Sequence, residues 1–178
     1  MLLTSPLALP VLLLGIFYAF AGYVAAREVQ KDALLDAALT GVSGGQRDRL
    51  DQERSLWLYG GAAVVGAGGL LLLVGSALAA PAFLLSCLLQ GLHFLVLSPQ
   101  RYDRLDPVDP AGRLRSLNAF RIYGLATVFV VWAAVQGVLR LPGQGSAWPL
   151  LLVGTVWLVI VLRGLLLLQG LNQGNREP

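Results

Sequence analysis

The sequence predicts an all-α fold, a polytopic transmembrane helix bundle of about five spans, with the first two helices extended into a cytoplasmic hairpin. Three observations predict it. The 178 residues are 56% apolar and only 13% charged, about half the charged share of a soluble domain. Stretches without Asp, Glu, Lys or Arg recur along the chain, each near the ~20 residues that cross a ~30 Å hydrocarbon core. Basic residues alternate between rich loops and empty ones, as the positive-inside rule requires. The same composition excludes a disordered chain. Cys87, the only cysteine, excludes a disulfide scaffold.

The chain reads as a single membrane domain over 1–178. Residues 7–26 carry no charge and no amide, and form the first span. Met1–Pro10 has no Lys or Arg, whereas Arg27 and Lys31 follow the apolar run. That order is the reverse of a secretory signal and fits an uncleaved helix with its N-terminus outside. From Ser55 to Gln100 no charged residue occurs, a run of about 46 residues and about 69 Å as one helix, so it must fold back. The break falls between Gly75-Ser76 and Pro81. Spans near 56–78 and 82–98 result, the latter stopping at Ser98-Pro99. A fourth span covers 120–139, followed by a turn in the Pro142–Ser146 segment. The fifth covers 148–168, with Arg163 interrupting it.

Arg27, Lys31, Arg47, Arg49 and Arg54 fall in the 27–54 loop, and Arg101, Arg104, Arg113, Arg115 and Arg121 in or beside the 99–119 loop. Both loops are therefore expected in the cytoplasm, with the N-terminus outside and the C-terminus inside. In the first loop, Leu34, Leu35, Ala38, Leu39 and Val42 recur at helical spacing before a glycine-rich turn at 41–45. The first two spans thus read as long helices meeting at that turn. The alternative is an amphipathic segment lying on the membrane, against which Glu28, Asp32 and Asp36 argue, because inner leaflets are anionic. The net charge of +3 belongs to these loops and not to a nucleic-acid surface. Twelve arginines against the single Lys31 fit a G+C-rich bacterial genome, and hence an inner membrane.

Polar groups inside the spans are few. Ser86, Gln90 and His93 follow i, i+4, i+7 and share one helix face. Such groups at membrane depth face protein or water. They suit a proton relay or ligand contact, or more plainly interhelical hydrogen bonds to Gln136, Thr127 or Thr155. His93 has no second histidine to complete a haem site, and zinc lacks ligands, so no cofactor and no metal are expected. No Asp or Glu lies in a span, and no three-helix repeat is visible, which argues against a coupled transporter.

The 101–110 loop is the most chemical-looking stretch. Asp103, Asp106 and Asp109 stand at steps of three, with Arg101, Arg104 and Arg113 around them. Carboxylates in this arrangement hold Mg²⁺ on a diphosphate whose oxygens arginines grip. Over about ten residues the stretch resembles the aspartate-rich loops of membrane prenyltransferases, which implies a phosphorylated, lipid-like substrate. That family has more spans and a second such motif, and neither occurs here. Pro107 and Pro110 lead instead to turns capped by Asp in a salt-linked surface loop. Small residues at Gly60-Gly61-Ala62-Ala63 and Gly66–Gly69 form faces for close helix packing or dimerisation. Trp57, Trp148 and Tyr123 fall near interfaces, where aromatic belts form, and Trp132 and Trp157 fall mid-span, where they are expected to pack.

The expectation is an integral membrane protein without an evident catalytic site, an accessory, assembly or interaction subunit. A small oligomeric channel or carrier is the second class, and an enzyme using the aspartate loop the third. The expected partners are membrane lipids and another membrane protein or a second copy, with no nucleic acid.

Overall fold

The computed structural model describes residues 6–43, 49–102, 110–141, 144 and 147–174. They form α1 (Ala8–Ser43), α2 (Arg49–Leu73), α3 (Ala79–Leu92, running on as a π-helical segment, His93–Tyr102), α4 (Pro110–Val135) and α5 (Trp148–Gly174). The fold is all-helical. Five stretches are long and apolar enough to cross a membrane: Ala8–Leu39, Leu50–Leu73, Ala79–Gln100, Pro110–Val135 and Trp148–Gln169.

α1 is one uninterrupted helix of 36 residues, about 54 Å long at 1.5 Å per residue and so far longer than the hydrocarbon core. Beyond Ala26 it leaves Leu34, Leu35 and Leu39 exposed, while Ala33 is fully buried. The helix thus continues without a break from the span into the segment read as its extension. α1 runs through Gly41, Val42 and Ser43, the first three residues of the turn read at 41–45, and residues 44–48 lie outside the described residues.

α2 ends at Leu73, short of the span limit of 78 read from the sequence, because Gly75 takes φ +66°. The N–H groups of Gly75 and Ser76 close the helix onto Leu72 O and Leu71 O, both at 2.9 Å. Pro81 then sits in the first turn of α3, where a missing N–H removes nothing. The third helix passes the expected stop at Ser98-Pro99 and reaches Tyr102. A proline ring clashes with the carbonyl four residues back in an α-helix; the wider π-helical turn relieves that clash. α5 likewise runs through Arg163, which is exposed.

Packing is organised around α2. Three of its glycines face three different helices: Gly69 the Tyr18-Ala19 backbone of α1, Gly68 the Phe83 ring of α3, and Gly66 the Trp157 ring of α5. A Cβ at Gly22 would in turn overlap the backbone of Gly66. α1 and α2 thus touch backbone to backbone, the use of small residues that lets membrane helices gain dispersion contact without a hydrophobic driving force. The α3–α4 pair packs to one side of this hairpin and α5 against both its helices. α5 is held by Trp157 Nε1, which donates to Ala63 O at 3.0 Å, and by the Tyr59 hydroxyl, which donates to Ile160 O and Val161 O, each at 3.3 Å.

The main core joins α1 through α4 around the fully buried Phe83, Val130, Ala79 and Ala133. A smaller one, around Ala33, Tyr59 and Leu168, fastens the far end of α5 to the α1–α2 hairpin. At the opposite end of the bundle the α2–α3 and α4–α5 turns are tied together. Ala77 N–H donates to Arg140 O at 2.8 Å, and Arg140 N–H donates to Gly75 O at 2.7 Å.

Candidate functional site

Residues of α1, α2, the third helix and α4 line a partly open pocket of about 740 Å³, within the ~300–1,000 Å³ range of small-ligand sites. Its end nearest the tied turns is closed by three rings from three helices. Tyr18 meets Phe83 (5.3 Å, 90°) and Tyr123 (5.1 Å, 76°) edge-on, and Phe83 stacks on Tyr123 (5.5 Å, 15°). These are the preferred geometries of ring quadrupoles, and they pin α1, α3 and α4 to one another.

The polar face read from the sequence is partly in this pocket. Gln90 and His93 line it, whereas Ser86 is fully buried one turn deeper in α3. Gln90 Nε2 donates to Ser86 Oγ at 3.1 Å. His93 is buried, stacked on Trp57 of α2 (6.5 Å, 20°) and edge-on to Phe94 (5.3 Å, 73°). It is also the residue at which the helix changes to π geometry, a change often found at functional positions.

The polar partners proposed for this face are placed elsewhere. Thr127 Oγ1 donates to the Tyr123 carbonyl of its own helix at 2.9 Å, a common outlet for a buried threonine. Gln136 and Thr155 are exposed. Ser116 and Tyr123 of α4, Tyr18 of α1 and Trp57 of α2 also bring polar groups to the pocket that Gln90 and His93 line.

Several sequence assignments change. Tyr123, read as an interface residue, is 4% exposed and packs in the core, while Trp132, read as packed, is 46% exposed. Trp157 does pack, with its indole N–H bound. Gly60 and Gly61, grouped with the close-packing glycines, pack against nothing: a Cβ on either would meet no atom within 4 Å, and both line the pocket. The aromatic walls, Phe17, Trp57, Phe94 and Phe120, had no periodic signature because each comes from a different helix.

Asp103, Arg104, Asp106 and Asp109 lie outside the described residues, as does the Arg101 side chain. Arg113 is exposed on α4 and does not line the pocket. Among the described residues no three His, Cys, Asp or Glu side chains gather as a metal site would need. No protein family, curated protein or solved structure matches this chain.

Proposed function

We propose that the chain is a non-catalytic integral membrane protein, an accessory or interaction subunit that holds an apolar guest between its two helix pairs. One observation carries this: a pocket of about 740 Å³ whose walls are apolar and aromatic apart from a few polar groups, the makeup of a site that binds by burial and orients by a few polar contacts. The α1 extension, with Leu34, Leu35 and Leu39 exposed beside Glu28, Asp32 and Asp36, offers a second surface for a partner outside the bilayer. The excess of arginine over lysine supports a bacterial inner membrane, and the alternation of basic loops supports an N-terminus outside and a C-terminus in the cytoplasm.

The test is purification of the full chain from native membranes in mild detergent, with mass spectrometry of what comes with it. A stoichiometric lipid or membrane-protein partner is expected. Ion flux through the protein reconstituted alone in liposomes would replace this function with that of a channel. Orientation is read by cysteine labelling at Ser43 and Ser146 in a Cys87→Ser background: impermeant reagent should label position 146 in intact cells and spare position 43.

A further inference from the structure

We propose that the guest of this pocket is a neutral lipid whose head is a flat ring bearing carbonyl or hydroxyl groups, the chemistry of a prenylated quinone or its quinol. This rests on the binding function proposed above and narrows it to one ligand class.

Charge makes the first selection. Among the described residues, no Asp, Glu, Lys or Arg lines the pocket. An ionised head drawn into it would lose its hydration with no counter-charge to replace it, which is prohibitive in an apolar site. Phosphate and carboxylate heads are therefore disfavoured, and a neutral one is favoured.

Shape makes the second. Phe17, Tyr18, Trp57, Phe94, Phe120 and Tyr123 put six aromatic rings around the cavity. Aromatic walls favour a planar guest, which gains stacked or edge-on contacts that a saturated chain does not make. The Trp57 and His93 rings already lie nearly parallel across the α2–α3 interface. A flat head at that wall extends an existing stack.

Hydrogen bonding makes the third. Gln90 and His93 stand one turn apart on the same wall, and Ser116 stands on α4. An amide, an imidazole and a hydroxyl each donate and accept, so the wall serves carbonyl oxygens and hydroxyls alike. Gln90 and Ser116 each use one donor within their own helix, on Ser86 Oγ and Gly112 O, and meet a guest with the amide's second N–H, the amide oxygen and the hydroxyl's lone pairs.

The fourth observation concerns the space itself. Gly60 and Gly61 lie inside a membrane helix, where glycine is a poorer helix former than alanine, and neither packs closely against another residue. Their structural effect is to keep the α2 wall of the pocket bare. A chain of isoprene or alkyl units fits along such a wall, with the ring at His93.

The experiment uses the full chain in phosphatidylcholine nanodiscs, titrated with decylubiquinone and, separately, with palmitate as an anionic chain of similar bulk. Binding is read by calorimetry and by quenching of tryptophan fluorescence, compared with a Trp57→Phe variant. Saturable binding of decylubiquinone, with the quenching lost in Trp57→Phe, is expected, and palmitate should bind far more weakly. Gly61→Leu, which fills open space and meets no backbone, should abolish binding while leaving the thermal midpoint no lower than the parent's, since leucine is the better helix former; Gly60→Leu serves the same purpose if the first variant does not fold. His93→Leu should weaken decylubiquinone by about tenfold through the lost polar contact, and His93→Gln should restore most of it.

Quenching that does not saturate, or that Gly61→Leu and Gly60→Leu leave intact, overturns the proposal. Retention of a phospholipid that decylubiquinone cannot displace overturns the ring-headed ligand and leaves the binding function standing. If no molecule of any class is retained, and the glycine variants match the parent in every measurement, both fall.

Discussion

Replacing Gly22 by alanine adds one methyl group and tests how the bundle is held. In the structure that methyl would lie 2.7 Å from Ala62 O and would overlap the Gly66 backbone, where carbon atoms normally approach to about 3.5–4.0 Å. The obstacle is backbone, so no side chain can rotate away, and α1 and α2 must separate locally. Overpacking of this kind costs about 1–3 kcal/mol. Alanine also gains about 1 kcal/mol of helix propensity over glycine, which would mask part of the loss. Gly154 and Gly124 supply the control, since a Cβ at either meets nothing within 4 Å. Each alanine variant gains the same propensity, so the difference between Gly22→Ala and Gly154→Ala isolates the overlap at about 1–3 kcal/mol. The assay is reversible unfolding in mixed micelles of mild detergent and SDS, followed by circular dichroism. Gly69→Ala, which would run into the Ala19 backbone, should behave like Gly22→Ala. Equal stability of Gly22→Ala and Gly154→Ala would refute the backbone contact between α1 and α2.

The remaining predictions concern α5, the turns and the surface. Tyr59→Phe removes the hydroxyl donated from α2 to α5 and should lower stability by about 0.6 kcal/mol, with a ceiling near 1.7, in the same micelle assay; Trp157→Phe removes both a hydrogen bond and the ring atoms packed on Gly66, and should cost more. Gly75→Ala and Gly137→Ala force a side chain into φ +66° and +71° and should cost about 1–2 kcal/mol each, read as lowered midpoints. Lys31→Ala breaks a 2.6 Å pair with Glu28 whose side chains are 54% and 55% exposed; stability should change by less than about 1 kcal/mol, and salt should erase the difference.

The helices were legible because a bilayer makes a strong demand on composition: about 20 apolar residues in a row have few other uses. Their ends were less so. The sequence marks Pro99 as a stop, but a proline stops only a regular α-helix, and the change to π geometry at His93 has no one-dimensional signature. Tyr123 shows a second limit. Its place near the end of a charged loop pointed to the membrane interface, yet the rings of Tyr18 and Phe83 draw it into the core, and those contacts depend on three helices at once. The polar wall was visible as Ser86, Gln90 and His93 on one helix face. The pocket in front of it was not, because its other walls come from α1, α2 and α4, and a cavity is a property of spacing between helices. Gly60-Gly61 and Gly68-Gly69 read alike as dipeptides; only the structure separates glycines that admit a neighbour from glycines that leave a gap.

The pair of backbone hydrogen bonds between Gly75, Ala77 and Arg140 has a mechanical consequence. It fastens the two helix pairs at one end, as a rivet fastens the arms of tweezers. Any rotation of α3–α4 relative to α1–α2 about that rivet would have to part the Tyr18, Phe83 and Tyr123 rings. Residues beside the rivet would then barely move, and those farthest from it, around His93, Phe94 and Ser116, would move most. The ring cluster thus acts as a second fastening, and the two together set how far the helix pairs can part at the end of the pocket away from the turns.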